Sequence, residues 1–243
     1  MRTLKEIKEH LASLESVFGF NPCEVEQGSP EWHVMKHGIP SASNSGKLLS
    51  KKGTATRQTY MNELIAQVAT GLTHEISAKP LEWGRAHEDS ARVSYEFAQN
   101  ITPHELPFIY KTDLEGFDLR VGCSPDGYSD ARGMEIKCPF NTTNHIEFLA
   151  NDKIKPEYIK QVQYSMWITG QGQWDFASYD PRMTVMPIKI VTIDRDEKLM
   201  TEFDEKVPEF LTEMDVILNK LGLEFGAHWE RFLIKNKKEE VAA

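Results

Sequence analysis

Apolar residues at Leu4, Ile7, Leu11, Leu14 and Phe18 recur at helical spacing and predict an amphipathic helix over residues 3–18. Ser29-Pro30 marks a second helix start, with a short helix through Met35 that Gly38 and Pro40 break. A further short helix is expected over Ser43 to Leu49. A Lys-, Gly- and Thr-rich loop follows over Ser50–Thr56, then a helix from Arg57 to Thr70 stopped by Gly71 and a longer one from Pro80 to Ala98. The period then changes. Leu106 to Tyr110, Asp118 to Cys123 and Met134 to Cys138 read as strands, separated by the turn sequences Ser124-Pro125-Asp126-Gly127 and Asp130-Ala131-Arg132-Gly133. A helix over Tyr158–Thr169 ends at Gly170. Strands over Trp174–Tyr179 and Pro187–Ile193 follow, and a helix from about Asp196 to Leu221 closes the pattern. Helices flanking a central run of strands give an α/β or α+β domain around a mixed sheet. We read 1–243 as a single domain, with 1–22 a helical extension and 231–243, which includes the charge run Lys235 to Glu240, a flexible tail.

No apolar run approaches the ~20 residues of a membrane span. The charged residues mixed into the N-terminal helix argue against a signal peptide, so a cytoplasmic protein is expected. The three cysteines, Cys23, Cys123 and Cys138, are odd in number and widely spaced, with neither a zinc pattern nor a disulfide framework.

The net charge of −9 alone argues against a nucleic-acid partner. Its distribution argues the other way. None of the 37 acidic residues falls between Trp32 and Asn62, where an even spread would put about five. The same stretch carries Lys36, Lys47, Lys51, Lys52 and Arg57, and so reads as a surface that meets an anion.

The chemistry concentrates at Asp126 and at Glu135-Ile136-Lys137. Side chains alternate along a strand, so Glu135 and Lys137 share a face while Ile136 points into the core. A short hairpin-like connection brings Asp126, at the end of the preceding strand, alongside. Two carboxylates this close call for a cation between them. Mg²⁺ suits them, with the Ile136 carbonyl as a further oxygen ligand and Mn²⁺ acceptable to the same donors. Metal and Lys137 together could activate water and stabilise charge in phosphodiester hydrolysis. Glu88, on a small or apolar face of the 80–98 helix, needs a partner: this metal, or Arg85 or Arg92. Gln161 could donate to a phosphate or simply lie on a helix surface.

Asp126…Glu135-Ile136-Lys137 resembles the PD-(D/E)xK nuclease motif, whose members share a restriction-endonuclease-like core. The segments Ser41-Ala42-Ser43, Trp83-Gly84, Cys123-Ser124-Pro125-Asp126-Gly127, Lys137-Cys138-Pro139-Phe140, Gln161-Val162-Gln163-Tyr164-Ser165-Met166-Trp167 and Tyr179-Asp180-Pro181-Arg182-Met183 resemble the lambda exonuclease family of YqaJ-type viral recombinases, over about Glu24 to Trp229. That resemblance implies a processive 5′→3′ exonuclease that degrades one strand of linear duplex DNA to mononucleotides and leaves 3′ overhangs. It also implies a homotrimeric ring and a phage single-strand annealing protein as partner. It makes Asp126, Glu135 and Glu88 the metal-site acids, the last partly through water, and Lys137 the catalytic lysine. Lys36, Ser43, Ser124 and Gln161 take the positions of the 5′-phosphate pocket, Leu81 that of an apolar wedge, and Lys51 and Lys52 those of a loop on the downstream duplex. Two positions depart from the family: Lys36 replaces an arginine and loses its bidentate fork, and Thr143 replaces an arginine that tracks the DNA backbone. A restriction-type endonuclease and a non-catalytic DNA-binding module are the alternatives.

Overall fold

The computed structural model describes residues 1–73 and 78–229, so the tail expected beyond residue 230 lies outside the described residues. The N-terminal apolar stripe forms two helices, α1 (Leu4–Ser13) and α2 (Glu15–Phe18). The single helix expected over 3–18 is interrupted at Leu14, whose N–H turns back to the carbonyls of Leu11 and Ala12. Ile7, Leu11, Leu14 and Phe18 are all buried in the main core, so this segment is an integral layer of the fold. Helices α3 (Pro30–Lys36), α4 (Ser45–Leu48), α5 (Ala55–Thr70) and α6 (Lys79–Gln99) follow.

The strands are β1 (Ile109–Tyr110), β2 (Gly122–Cys123), β3 (Gly127–Tyr128), β4 (Gly133–Lys137), β5 (Gln173–Tyr179) and β6 (Ile188–Asp194). Between β4 and β5 lie α7 (Thr142–Asn151) and α8 (Pro156–Thr169), and α9 (Glu197–Lys220) ends the order. β1 and β2 form a small antiparallel ribbon, and the main sheet runs β3-β4-β5-β6. β4 and β5 are parallel and the outer pairs antiparallel, which gives the mixed sheet that the sequence pattern implies.

The expected strands Leu106–Tyr110 and Asp118–Cys123 shrink to two residues each. The carbonyls of Leu106 and Pro107 accept from the side chains of Gln27, Trp32 and Ser124 instead of a neighbouring strand, and Pro107 has no N–H to give. Leu119 has φ 56°, within turns closed by Phe117 N–H to Leu114 and Arg120 N–H to Phe117.

Two packed layers fix the sheet. On one face, Ala91 and Tyr95 of α6 bury against Met134, Ile136, Ala177 and Tyr179. On the other lies the main core, to which α8 contributes Val162, Tyr164, Met166, Trp167 and Ile168. β4 is held close: a Cβ at Gly133 would lie 2.3 Å from the Trp174 ring, so no other residue fits at the start of this strand.

Candidate active site

β4 places the central residues. Its register with β3 pairs Gly127 with Met134, so the next positions along, Asp126 and Glu135, lie beside each other. Asp126 thus leads into a short strand, rather than ending the Asp118–Cys123 strand expected from the sequence. Among the described residues the edge of β4 past β3 has no strand partner, and the Ile136 N–H donates to Asp126 Oδ2 at 2.6 Å. The N–H and C=O of one strand residue point to the same side, so the Ile136 carbonyl faces this edge as well. The Ile136 side chain is buried under α6. Glu135 and Lys137 share the opposite face, as alternation requires, and Lys137 Nζ donates to Glu135 Oε1 at 2.5 Å. Gln161, one turn into α8, donates to the same oxygen at 2.6 Å. Glu88 comes from α6, where Arg92 Nη2 meets its carboxylate at 3.1 Å while Arg92 Nε donates to the Asp126 carbonyl at 3.2 Å. Arg92 is shared further with Asp89 and Glu105.

Three carboxylates therefore face two cations, one of them divided among other acids. Burial pushes the Glu135 carboxyl up to about 7, helped by the Asp126 charge. Glu88 rises to about 7 through burial and then the Asp126 charge. Asp126 also rises, through burial, against the pull of Lys137 and the Ile136 N–H. Burial alone would depress the Lys137 ammonium, but Glu135 and Asp126 together hold it above the ordinary lysine value. Such a site is short of positive charge at neutral pH. Among the described residues no three acid, His or Cys side chains already stand at ion-binding spacing. Each acid instead accepts from protein donors, Glu135 from Lys137 and Gln161, Asp126 from the Ile136 N–H and Glu88 from Arg92.

Glu88, Asp126, Ile136 and Lys137 line a cleft of about 810 Å³ between α6 and α7. Leu81, half exposed, stands in its wall. The remaining positions lie elsewhere. Lys36 sits with Nζ 3.5 Å from the centre of the Trp32 ring, and burial lowers its ammonium to about 8. Among the described residues no carboxylate pairs with it. The Trp32 indole N–H reaches Ser124 Oγ at 3.1 Å, which links Lys36 to the segment that carries Asp126. Ser43 is exposed, with Oγ 3.2 Å from Ser41 Oγ. Lys52 is drawn onto α9 by Glu213 at 2.8 Å, and Lys51 is exposed beside it. Thr143 is exposed in the first turn of α7, where Asn141 caps its N–H.

Sequence reasoning misses two contributors. α7 supplies the cleft wall, and its signal is the N-cap Asn141 followed by His145 and Phe148 at i, i+3. Arg182 holds the chain leaving β4. It donates to the carbonyls of Phe140 and Pro139 at 3.0 Å each, pairs with Asp180 at 2.7 Å, and lies 4.4 Å from the centre of the Trp83 ring on α6.

The family model for the YqaJ-like viral recombinase domain matches residues 31–172, more than half of the chain. The alkaline exonuclease LHK-Exo from Laribacter hongkongensis is similar in structure, with a TM-score of 0.71 at 37% identity, over 80% of this chain and 96% of that one. Its complex with dAMP gives a TM-score of 0.72 at 37% identity, over 79% and 96% of the two chains. The ExoD protein of Escherichia coli (strain K12) is 50% identical over 78 residues, 32% of this chain and 90% of that protein. A phage-related exonuclease of Haemophilus somnus 129PT shares the fold at 17% identity, with a TM-score of 0.60 over 78% of this chain and 99% of that one.

Proposed function

The chain belongs to the YqaJ-like viral recombinase family and is an exodeoxyribonuclease, and from that premise we propose that it degrades one strand of linear duplex DNA from the 5′ end. It does so processively, releases 5′-mononucleotides, and leaves a 3′-tailed strand for annealing. The observation that carries this reading is that Asp126, bound to the Ile136 N–H at the edge of β4, Glu135 and Lys137, paired on its face, and Glu88 of α6, whose carboxyl feels the Asp126 charge, lie together at one end of β4.

The acids and the Ile136 carbonyl offer only hard oxygen donors, beside buried carboxylates that lack positive charge, and this set fits Mg²⁺ or Mn²⁺. When bound, the ion supplies the charge that lowers the pKa of water and neutralises the departing 3′-oxygen. The residues do the rest. Glu135 gives up its Lys137 and Gln161 hydrogen bonds to act as a ligand. Lys137, released but still an ammonium, turns toward the scissile phosphate, where it orients water and offsets the charge that builds on phosphorus. Glu88 contributes partly through water. Lys36, Ser43, Ser124 and the freed Gln161 amide hold the 5′-phosphate, and the unpaired, desolvated charge of Lys36 favours a dianion there. Leu81 separates the terminal base pair, and Lys51 and Lys52 touch the downstream duplex. The active form is a homotrimer around the DNA, partnered by a phage annealing protein in the host cytoplasm. The dAMP held by LHK-Exo is a mononucleotide of the kind proposed as product.

The test compares linear and covalently closed circular duplexes in Mg²⁺, the linear ones with 5′-phosphate or 5′-hydroxyl ends. Linear phosphorylated DNA is expected to yield mononucleotides, circles to stay intact, and 5′-hydroxyl ends to react about tenfold more slowly, one charge-assisted hydrogen bond being worth ~1.4 kcal/mol. Lys36→Ala should erase that difference. Cut circles would replace this reading with an endonuclease, and faster reaction of hydroxyl ends would remove the phosphate pocket.

A further inference from the structure

The connection from α7 to α8 sorts its charges by side. Asp152 has φ 54° and pairs with Lys189 of β6. That ammonium also donates to the carbonyls of Leu149 at 3.1 Å and Phe148 at 3.3 Å. The acid of the loop is thereby tied to the sheet, at the C-terminal end of α7. Two residues on, Ile154 packs against the main core and anchors the loop. Lys153 and Lys155 flank it, and both are exposed and line the cleft that holds Asp126 and Lys137. Arg85 lines the same cleft from α6, three residues before Glu88.

Among the described residues none of these three cations has a carboxylate partner. Arg57, Arg92, Arg120, Arg132 and Arg182 all do. Among the described residues, the cleft lining has one carboxylate besides Glu88 and Asp126, namely Glu147. In a chain of net charge −9, three unpaired cations around one cleft mark a surface for a polyanion.

The carboxylate site separates this surface from the Lys36 group. Lys36, Ser124 and Gln161 are not in the cleft lining, Gln161 meets Glu135 on the face of α8, and Asp126 and Lys137 open into the cleft. Resting on the function proposed above, we propose that Lys153, Lys155 and Arg85 bind backbone phosphates of the cut strand on the 3′ side of the scissile bond. A strand whose 5′ end is held near Lys36 leaves the carboxylates through this cleft, and its next phosphates pass the three cations.

The test is duplex binding by the full chain in EDTA, so that nothing is cut, across a salt series. Lys153→Ala with Lys155→Ala should weaken binding about tenfold and flatten the slope of log affinity against log salt by about 0.9 for each phosphate no longer neutralised. Arg85→Ala should do the same to a smaller degree. Replacing both lysines by arginine should restore affinity and slope, since the interaction needs only charge. Neutral methylphosphonate linkages just 3′ of the cleavage position in the cut strand should weaken the wild type by as much and leave the double alanine variant unaffected. An unchanged slope in the alanine variant overturns the proposal, as does a weakening that follows methylphosphonates in the other strand. Digestion of end-labelled duplex by the wild type reads polarity separately. Release from the 3′ end would overturn the function reading even where the salt slope had shifted.

Discussion

Two groups of carboxylates share the β4–β5 region, and they are treated in opposite ways. Asp175 and Asp180, on β5 and just beyond it, are fully buried. Asp175 accepts from Tyr95 at 2.7 Å, Thr192 at 2.6 Å and Arg132 at 3.2 Å. Asp180 takes both oxygens to Arg182, whose hydrogen bonds hold its carboxyl down at about 2. Glu135, across the strand pair, and its neighbours Asp126 and Glu88 are pushed up instead. Glu135 is as buried as Asp175 and Asp180, Asp126 and Glu88 are half-buried, and the supply of donors separates the two groups. Asp175 and Asp180 have their donors within the fold, whereas Asp126, Glu135 and Glu88 are left short of them, as the proposed metal site requires.

The sharpest way to break this contrast is Asp126→Ala. It should lower the rate of nucleotide release on the order of a thousandfold or more, because metal charge and ordered water are lost together. The melting temperature should hold or rise, since an acid short of donors is gone. A large loss of stability would move Asp126 into the structural group. Asp175→Ala should behave in reverse, costing about 3 kcal/mol in denaturant unfolding as a broken buried pair does, while folded enzyme keeps its turnover. A smaller effect sharpens the same contrast through pH. Native Glu135 and Glu88 keep protons, up to about 7, that an unfolded chain releases near the ordinary 4.5. The unfolded chain then binds fewer protons, so metal-free stability should fall as pH rises from about 4.5 to about 7. Mg²⁺ above pH 7 should restore about 2.7 kcal/mol at a hundredfold excess over its Kd. Calorimetry of wild type and Asp126→Ala checks this, and equal Mg²⁺ gains in both would place the ion elsewhere.

The parts of the site that obey short-range rules are legible in the sequence. Strand alternation places Glu135 and Lys137 on one face and Ile136 beneath, and the structure has all three so. Glu88 stands out because an acid on an apolar helix face needs a partner, and Arg92 meets it directly while the other acids lie nearby. Other features depend on distant residues and leave no local signal. The ties of Arg92 to Asp126, Gln161 to Glu135 and Arg182 to Phe140 span 34, 26 and 42 positions. α7 leaves a faint pattern because its first turn is built of Thr and Asn, with only His145 and Phe148 fully buried along it. The two strands that shrink look like strands by composition, since Leu106 to Tyr110 is continuously buried, but side chains from elsewhere take the carbonyls a neighbouring strand would use.

The segment around α1 is bound by bonds that reach far along the chain. The Arg2 N–H donates to the Thr169 carbonyl, Arg2 Nη1 donates to Tyr110, the Leu4 N–H donates to Asp130, and the Tyr128 hydroxyl donates to Arg2. These partners sit on β1, on or beside the β3–β4 hairpin, and at the end of α8. Closing such long loops is costly in entropy and slow. During synthesis this segment emerges well before anything it can hold, and the β4 strand that carries Glu135 and Lys137 gains its parallel neighbour only once β5, ending at Tyr179, has been made. The order of translation thus delays completion of the sheet around Glu135 and Lys137 until most of the chain is out of the ribosome.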